Sequence, residues 1–187
     1  MYKKILYLSY ILESVVKFFG KFGAWLSLPL IFIIIFDVIT RRFFILGSTK
    51  IQEMEWHLHA AIFLLSLGFA YIKNAHVRIE IVREKYPPIL KSLFEIIGIL
   101  FFLIPYTCMI IYYGADFVTR SYNLNEVSAA LTGLSHRWII KSFIPLGMLI
   151  LFLAGLSILL KNLIYVIARV QNDQKTLTTF FKKNPDL

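Results

Sequence analysis

Residues 142–160 read Ser-Phe-Ile-Pro-Leu-Gly-Met-Leu-Ile-Leu-Phe-Leu-Ala-Gly-Leu-Ser-Ile-Leu-Leu, nineteen positions without a charge. A helix rises about 1.5 Å per residue, so about 20 such residues cross the roughly 30 Å hydrocarbon layer of a bilayer. In lipid every backbone N–H and C=O must be paired within its own segment, which leaves a helix as the conformation for this run. Three further stretches meet the same test. With their flanks, the four predicted spans cover about 18–39, 55–72, 92–115 and 139–165, the second being the least apolar. The expected fold class is all-α: an integral membrane protein with four transmembrane helices.

The 187 residues are 58% hydrophobic and 16% aromatic, with a mean hydropathy of +0.71, more apolar than one soluble core requires. The net charge of +9 is spread over the ends of apolar runs and forms no basic domain, so nucleic acid is not an expected partner. Counted from the uncharged core of each span, fourteen of the twenty Lys and Arg residues lie before the first, between the second and third, or beyond the fourth, against six in the other two intervals. The positive-inside rule then places both termini and the Lys73–Lys91 loop in the cytoplasm. Cys108 is the only cysteine, which excludes an internal disulfide, a thiol pair and a multi-Cys metal site; its place in an apolar run predicts a packing role.

Ahead of the first span, residues 3–20 put Ile5, Leu8, Leu12, Val15, Val16 and Phe19 on one side of a helical wheel and Lys3, Lys4, Glu13, Ser14 and Lys17 on the other. This predicts an N-terminal amphipathic helix, lying in the headgroup plane, packed on a partner subunit or extending the first span. Glu13, Lys17 and Lys21 interrupt what would be the hydrophobic region of a cleavable signal peptide. Residues 1–170 read as a single membrane domain and 171–187 as a polar cytoplasmic tail. Thr49 and Gln52 have capping-box spacing at the start of the second span, and Pro87-Pro88 marks the approach to the third.

No Gly-rich phosphate loop, Ser-His-Asp set, carboxylate pair at bundle depth or zinc-ligand spacing occurs, so no enzyme is expected. Four histidines raise the possibility of a haem-binding anchor for a redox enzyme. Against it, His57 and His59 are two apart on different helix faces, and His76 and His136 fall in or beside loops on opposite sides. No cofactor and no metal are expected. Ionisable groups in spans are the default functional candidates, because burying a charge there is costly unless it is paired. Asp37 lies four residues before Arg41, with Glu53 and Glu55 on the same predicted side, so acid and base are expected to pair across the first two helices. Glu55, His59 and Ile62 share one face of the second span, while Trp56 and Phe63 form an aromatic edge. Trp56 and Trp138 also suit an interfacial aromatic belt.

Four motifs carry a resemblance: Asp37-Val38-Ile39-Thr40-Arg41-Arg42-Phe43, Gln52-Glu53-Met54-Glu55-Trp56-His57-Leu58, Ala75-His76-Val77-Arg78-Ile79-Glu80, and Gly133-Leu134-Ser135-His136-Arg137-Trp138-Ile139-Ile140-Lys141. In this order, at these helix ends, they resemble the DctQ-like small permease subunit of TRAP transporters, the tripartite ATP-independent periplasmic transporters, over roughly residues 20–165. The version here is most similar to the mannitol or chloroaromatic branch, with Ala75 where Gly is common and Ser135 where Pro is common.

The resemblance implies a small membrane subunit in the bacterial inner membrane that scaffolds a large polytopic, DctM-like subunit. A DctP-like periplasmic solute-binding protein delivers the substrate, usually an organic acid, and a sodium gradient drives its uptake. It also implies that Asp37, Arg41, Arg42, Glu53, Glu55, Trp56 and Trp138 mark the outer end of the subunit interface or contact lipid headgroups. His76 and Arg78 mark the inner end, and Glu126 and Arg137 contact the binding protein. The small subunit of a tripartite tricarboxylate transporter shares this hydropathy and length and is the nearest alternative.

Overall fold

Prolines and asparagines decide where this chain bends and where its helices stop. Pro29 has no N–H to give the carbonyl of Trp25, and the first long helix breaks there into α1 (Tyr2–Trp25) and α2 (Ser27–Phe43). Pro105 poses the same problem, met by a five-residue π segment, Ile99–Leu103, between α4 (Pro88–Gly98) and α5 (Ile104–Asn123). Three helices end on an asparagine in the left-handed region: Asn74 after α3 (Thr49–Ile72), Asn125 after α5 and Asn172 after α6 (Trp138–Val170). In each, the residue beyond the asparagine donates its N–H back five positions, as Ala75 does to Ala70, Glu126 to Ser121 and Asp173 to Ala168, closing otherwise open helix carbonyls.

The computed structural model describes residues 2–44, 47–75 and 86–173, without the side chains of Tyr2 and Lys3. His76, Arg78, most of the tail and the side-chain placement of Lys3 lie outside the described residues. The described residues form helices and short connections and no strand. Among the described residues, four helical runs are long and apolar enough to cross a membrane: Lys4–Phe43, Thr49–Ile72, Pro88–Asn123 and Trp138–Val170.

Helix α6 is the hub, in contact with α1, α3, α4 and α5, while α2 leans chiefly on α3. Lipid tails are as apolar as leucine, so helices in a bilayer associate through close packing and polar contacts. Both devices appear here. A Cβ on Gly68 of α3 would lie 2.8 Å from the Ile150 carbonyl oxygen of α6, and one on Gly147 of α6 would lie 2.8 Å from the Leu64 carbonyl oxygen of α3. At each of these crossings a glycine on one helix lets the other helix's backbone approach.

Helix α1 runs antiparallel to α6. Val16 packs with Ile150 and Ala154, while Ile5 and Leu6 reach Ile164, Tyr165 and Ala168, so the described starts and ends of the chain share one end of the bundle. The buried stripe of α1 is Ser9, Glu13, Val16, Gly20 and Gly23, and the exposed face carries Tyr7, Leu8, Ile11, Val15, Phe18, Phe22 and Trp25. The amphipathic helix is therefore continuous with the start of the first span up to Trp25, and part of its polar side is turned into the bundle.

Two local expectations are corrected. Cys108 is exposed and its neighbour Thr107 is the buried residue, because the helix face that meets the bundle runs through Thr107, Gly114 and Ser121. The capping box at Thr49 and Gln52 does not form: Ser48 is the N-cap and makes no side-chain cap bond, while the Thr49 hydroxyl accepts from Thr132 at 3.2 Å.

Candidate functional site

The polar chemistry gathers at the two ends of the bundle. At the end opposite the termini, the loop joining α5 to α6 is tied down by α3. Glu53 stands one turn into α3, and its carboxylate accepts from the Ser128 hydroxyl and, at 2.6 Å, from the Leu134 N–H. Within the loop, the Ser128 N–H donates to the Leu134 carbonyl at 3.0 Å and the Arg137 N–H to the Glu126 carbonyl at 3.2 Å. His136, with φ at 61°, makes the reversal that starts α6.

Lys141 of α6 pairs with the Glu126 carboxylate and lies 3.9 Å above the centre of the Phe117 ring. The edge of Trp138 meets Tyr122 at 5.4 Å between ring centres, stapling the base of the loop. Outward the loop presents Leu124, Val127 and, at the tip, the fully exposed Leu131, interleaved with the polar Asn125, Thr132, Ser135 and His136.

The hydrogen bond from Lys141 holds the Glu126 carboxyl below its ordinary value of 4.5. A carboxyl lowered by folding contributes stability that is fully present above its ordinary value and lost as pH falls through the lowered one. Amide exchange over residues 126–137 should therefore be faster in E126Q than in the native chain at pH 7, and the difference should shrink as pH falls below 4.5 and vanish below the lowered value. Equal exchange in both chains at pH 7 would show that the pair does not hold the loop.

At the α2–α3 edge, Asp37 is buried and pairs with Arg41 inside its own helix, leaving its other carboxylate oxygen without a partner. Acid and base thus do not pair across the first two helices as expected: Arg41 turns back one turn, and Glu53 is held by the loop. Glu55 has one buried oxygen without a hydrogen bond, and the His59 ring N–H donates to its backbone carbonyl at 2.9 Å. Arg42 is exposed, and Trp56 and Phe63 form an exposed aromatic edge of α3.

The second assembly, near the termini, was not legible as a site in the sequence. Lys161 of α6 donates to the Glu13 carboxylate of α1 at 2.7 Å, Lys17 pairs with the other oxygen at 2.7 Å, and the Tyr10 ring lies 5.1 Å from the Lys161 ammonium. The Ser157 hydroxyl donates to the Ser9 carbonyl at 2.9 Å, and buried Asn162 donates to Ile158 at 3.0 Å. Side chains on a helix lean toward its N-terminus. In an antiparallel pair the two sets lean toward each other, which is how Glu13 and Lys161 meet. The readable signal was the spacing of Ser9, Glu13, Val16, Gly20 and Gly23, a stripe of small and polar residues at helical period.

Among the described residues, no three of His, Cys, Asp and Glu converge. Acid converges on base and on backbone N–H groups, a pattern that fixes helices and loops in place. The family model for the DctQ component of tripartite ATP-independent periplasmic transporters matches residues 30–164. No curated protein matches the chain.

Proposed function

The chain belongs to the DctQ family, the small membrane components of tripartite ATP-independent periplasmic transporters, and on that premise we propose that it is the static scaffold for the large, DctM-like transport subunit. It is a transporter component rather than an enzyme, and a multi-pass protein of the bacterial inner membrane. In the proposed complex both termini lie in the cytoplasm, in keeping with the fourteen-to-six distribution of Lys and Arg. The 124–137 loop then faces the periplasm and receives a DctP-like binding protein, with Glu126 and Arg137 as its contacts. The large subunit carries organic acids inward on a sodium gradient.

The observation that carries the scaffold reading is the direction in which side chains are used. Glu13, Glu53, Glu126 and Lys161 bond within the chain, while α2, the Trp56–Phe63 edge and one face of α5 present large apolar side chains outward. A solute path needs a continuous line of polar groups through the bundle, and a scaffold needs rigid helices with an apolar exterior. Arg41, held in place by buried Asp37, together with Arg42, Glu55 and Trp138 is assigned to the outer rim of that exterior, against the large subunit or headgroups, and His76 and Arg78 to the inner rim.

Replacing Trp56 and Phe63 together by Ala should reduce recovery of the large subunit with the tagged chain, by about 2 kcal/mol if the edge is an interface hot spot. Sodium-dependent uptake of organic acid by cells should fall with it. Unchanged recovery and uptake would make this edge a lipid anchor and move the interface elsewhere.

A further inference from the structure

Because α2 swings away at Pro29 and leans chiefly on α3, the two helices do not close on each other. Between them, at the end that carries the 124–137 loop, lies an open groove of about 620 Å³. Its walls include Phe32, Phe36 and Ile39 of α2 and Ile51 and Met54 of α3, and among the described residues Lys50 is the one charged residue on them. Phe32 to Phe36 belong to the charge-free stretch of the first span, so the trough lies at hydrocarbon depth. Lys50 stands in the first turn of α3, at the end of the second span.

Such a groove offers water almost no polar partners, so its occupant is apolar. It spans eight residues of α2 from Phe32 to Ile39, about 10 Å of helix, and its volume is in the range that takes a single elongated ligand. At its rim the charge is positive: Lys50 and Arg42 are exposed, while Arg41 is already engaged by Asp37. An apolar trough ending at a free ammonium group at the depth of lipid phosphates matches one class of molecule.

We propose that this groove binds an acyl chain of an anionic phospholipid, with Lys50 on the phosphate. The lipid fills the gap left by the break at Pro29 and fastens α2 to α3.

The test uses the full chain with whatever partner subunit copurifies, stripped of lipid in detergent and titrated with phosphatidylglycerol or phosphatidylcholine, bound lipid being counted by native mass spectrometry. The native protein should hold phosphatidylglycerol more tightly than phosphatidylcholine. K50E should weaken phosphatidylglycerol on the order of tenfold, the effect of reversing one charge at a lipid headgroup. I39W, which fills the groove from a half-exposed position, should displace both lipids while the helical content stays native. Equal retention of the two lipids by the native chain, or by native and K50E alike, overturns the proposal. Loss of the partner subunit from I39W with lipid retention unchanged also overturns it, and makes the groove the seat of a partner helix.

Discussion

Replacing Gly147 or Gly68 by Ala is expected to destabilise the bundle, whereas the same change at Gly98 should leave it unaffected or slightly more stable. All three glycines lie within or at the end of helices, so propensity alone favours alanine at each, by up to about 1 kcal/mol. Contact decides otherwise at two of them. The new methyl on Gly147 would lie 2.8 Å from the Leu64 carbonyl oxygen and 2.9 Å from its Cβ; on Gly68 it would lie 2.8 Å from the Ile150 carbonyl oxygen. Backbone cannot rotate aside as a side chain can, so α3 and α6 must move apart along their shared face. Overpacking of this kind costs about 1–3 kcal/mol for one methyl, and leucine at either position should prevent recovery of folded protein. Around Gly98 there is no atom within 4 Å of such a methyl. Thermal unfolding in one detergent, read for the three alanine variants beside the native chain, checks the order. A Gly147→Ala protein as stable as Gly98→Ala would mean that α3 and α6 do not touch in the membrane.

The same contact shows which parts of this fold were readable in the sequence. Hydropathy reports the solvent a helix lives in, and residues 142–160 announce lipid without reference to any neighbour. The family motifs were legible for the same local reason, since Gln52–Leu58 and Gly133–Lys141 mark helix ends with charges that a membrane does not admit at depth. Partners were harder. Asp37 with Arg41 is a local pair at helical spacing and could be read, although its confinement to α2 could not. Glu53 looks like a first-turn acid suited to its own helix N-terminus, and only the fold brings the Leu134 N–H to it, 81 positions away.

Lys161 was the hardest. On the hydropathy of the fourth span it reads as the first cation past the membrane, a topological marker. The helix runs on to Val170, and 33 residues of helix extend about 50 Å, well beyond the hydrocarbon layer. Its C-terminal third therefore continues beside α1, and the lysine is buried there. The breaks at Pro29 and Pro105 were visible as residues, but whether a proline kinks a helix, ends it or inserts a π turn depends on what packs around it.

Removing the Lys161 ammonium by K161M should cost the bundle toward the low end of the 3–5 kcal/mol expected when one partner of a buried pair is lost, because Glu13 keeps Lys17. Lys161 and Glu13 have side chains only 10% and 11% exposed, against 41% for Lys17, so the remaining pair is the one that water can reach and screen. E13Q should cost at least as much as K161M, since the amide oxygen still accepts from Lys161 but leaves its buried ammonium without a counter-charge. Changing both residues to apolar side chains of similar size, as in E13L/K161M, should recover most of the loss, because it removes both desolvation costs and lipid-facing helices tolerate apolar contacts. The two single variants of that pair and the double form a cycle whose coupling energy isolates the pair from the packing around it. Coupling near zero would mean that the close approach of α1 to α6 rests on Ser9, Ser157 and Val16, with the charges incidental. Strong coupling would identify Glu13–Lys161 as the contact that sets the register of the N-terminal helix on the hub. In that case the double variant, though stable, should show α1 sliding on α6, read as cross-linking between cysteines placed at Ser9 and Ser157 in the native and double-variant backgrounds.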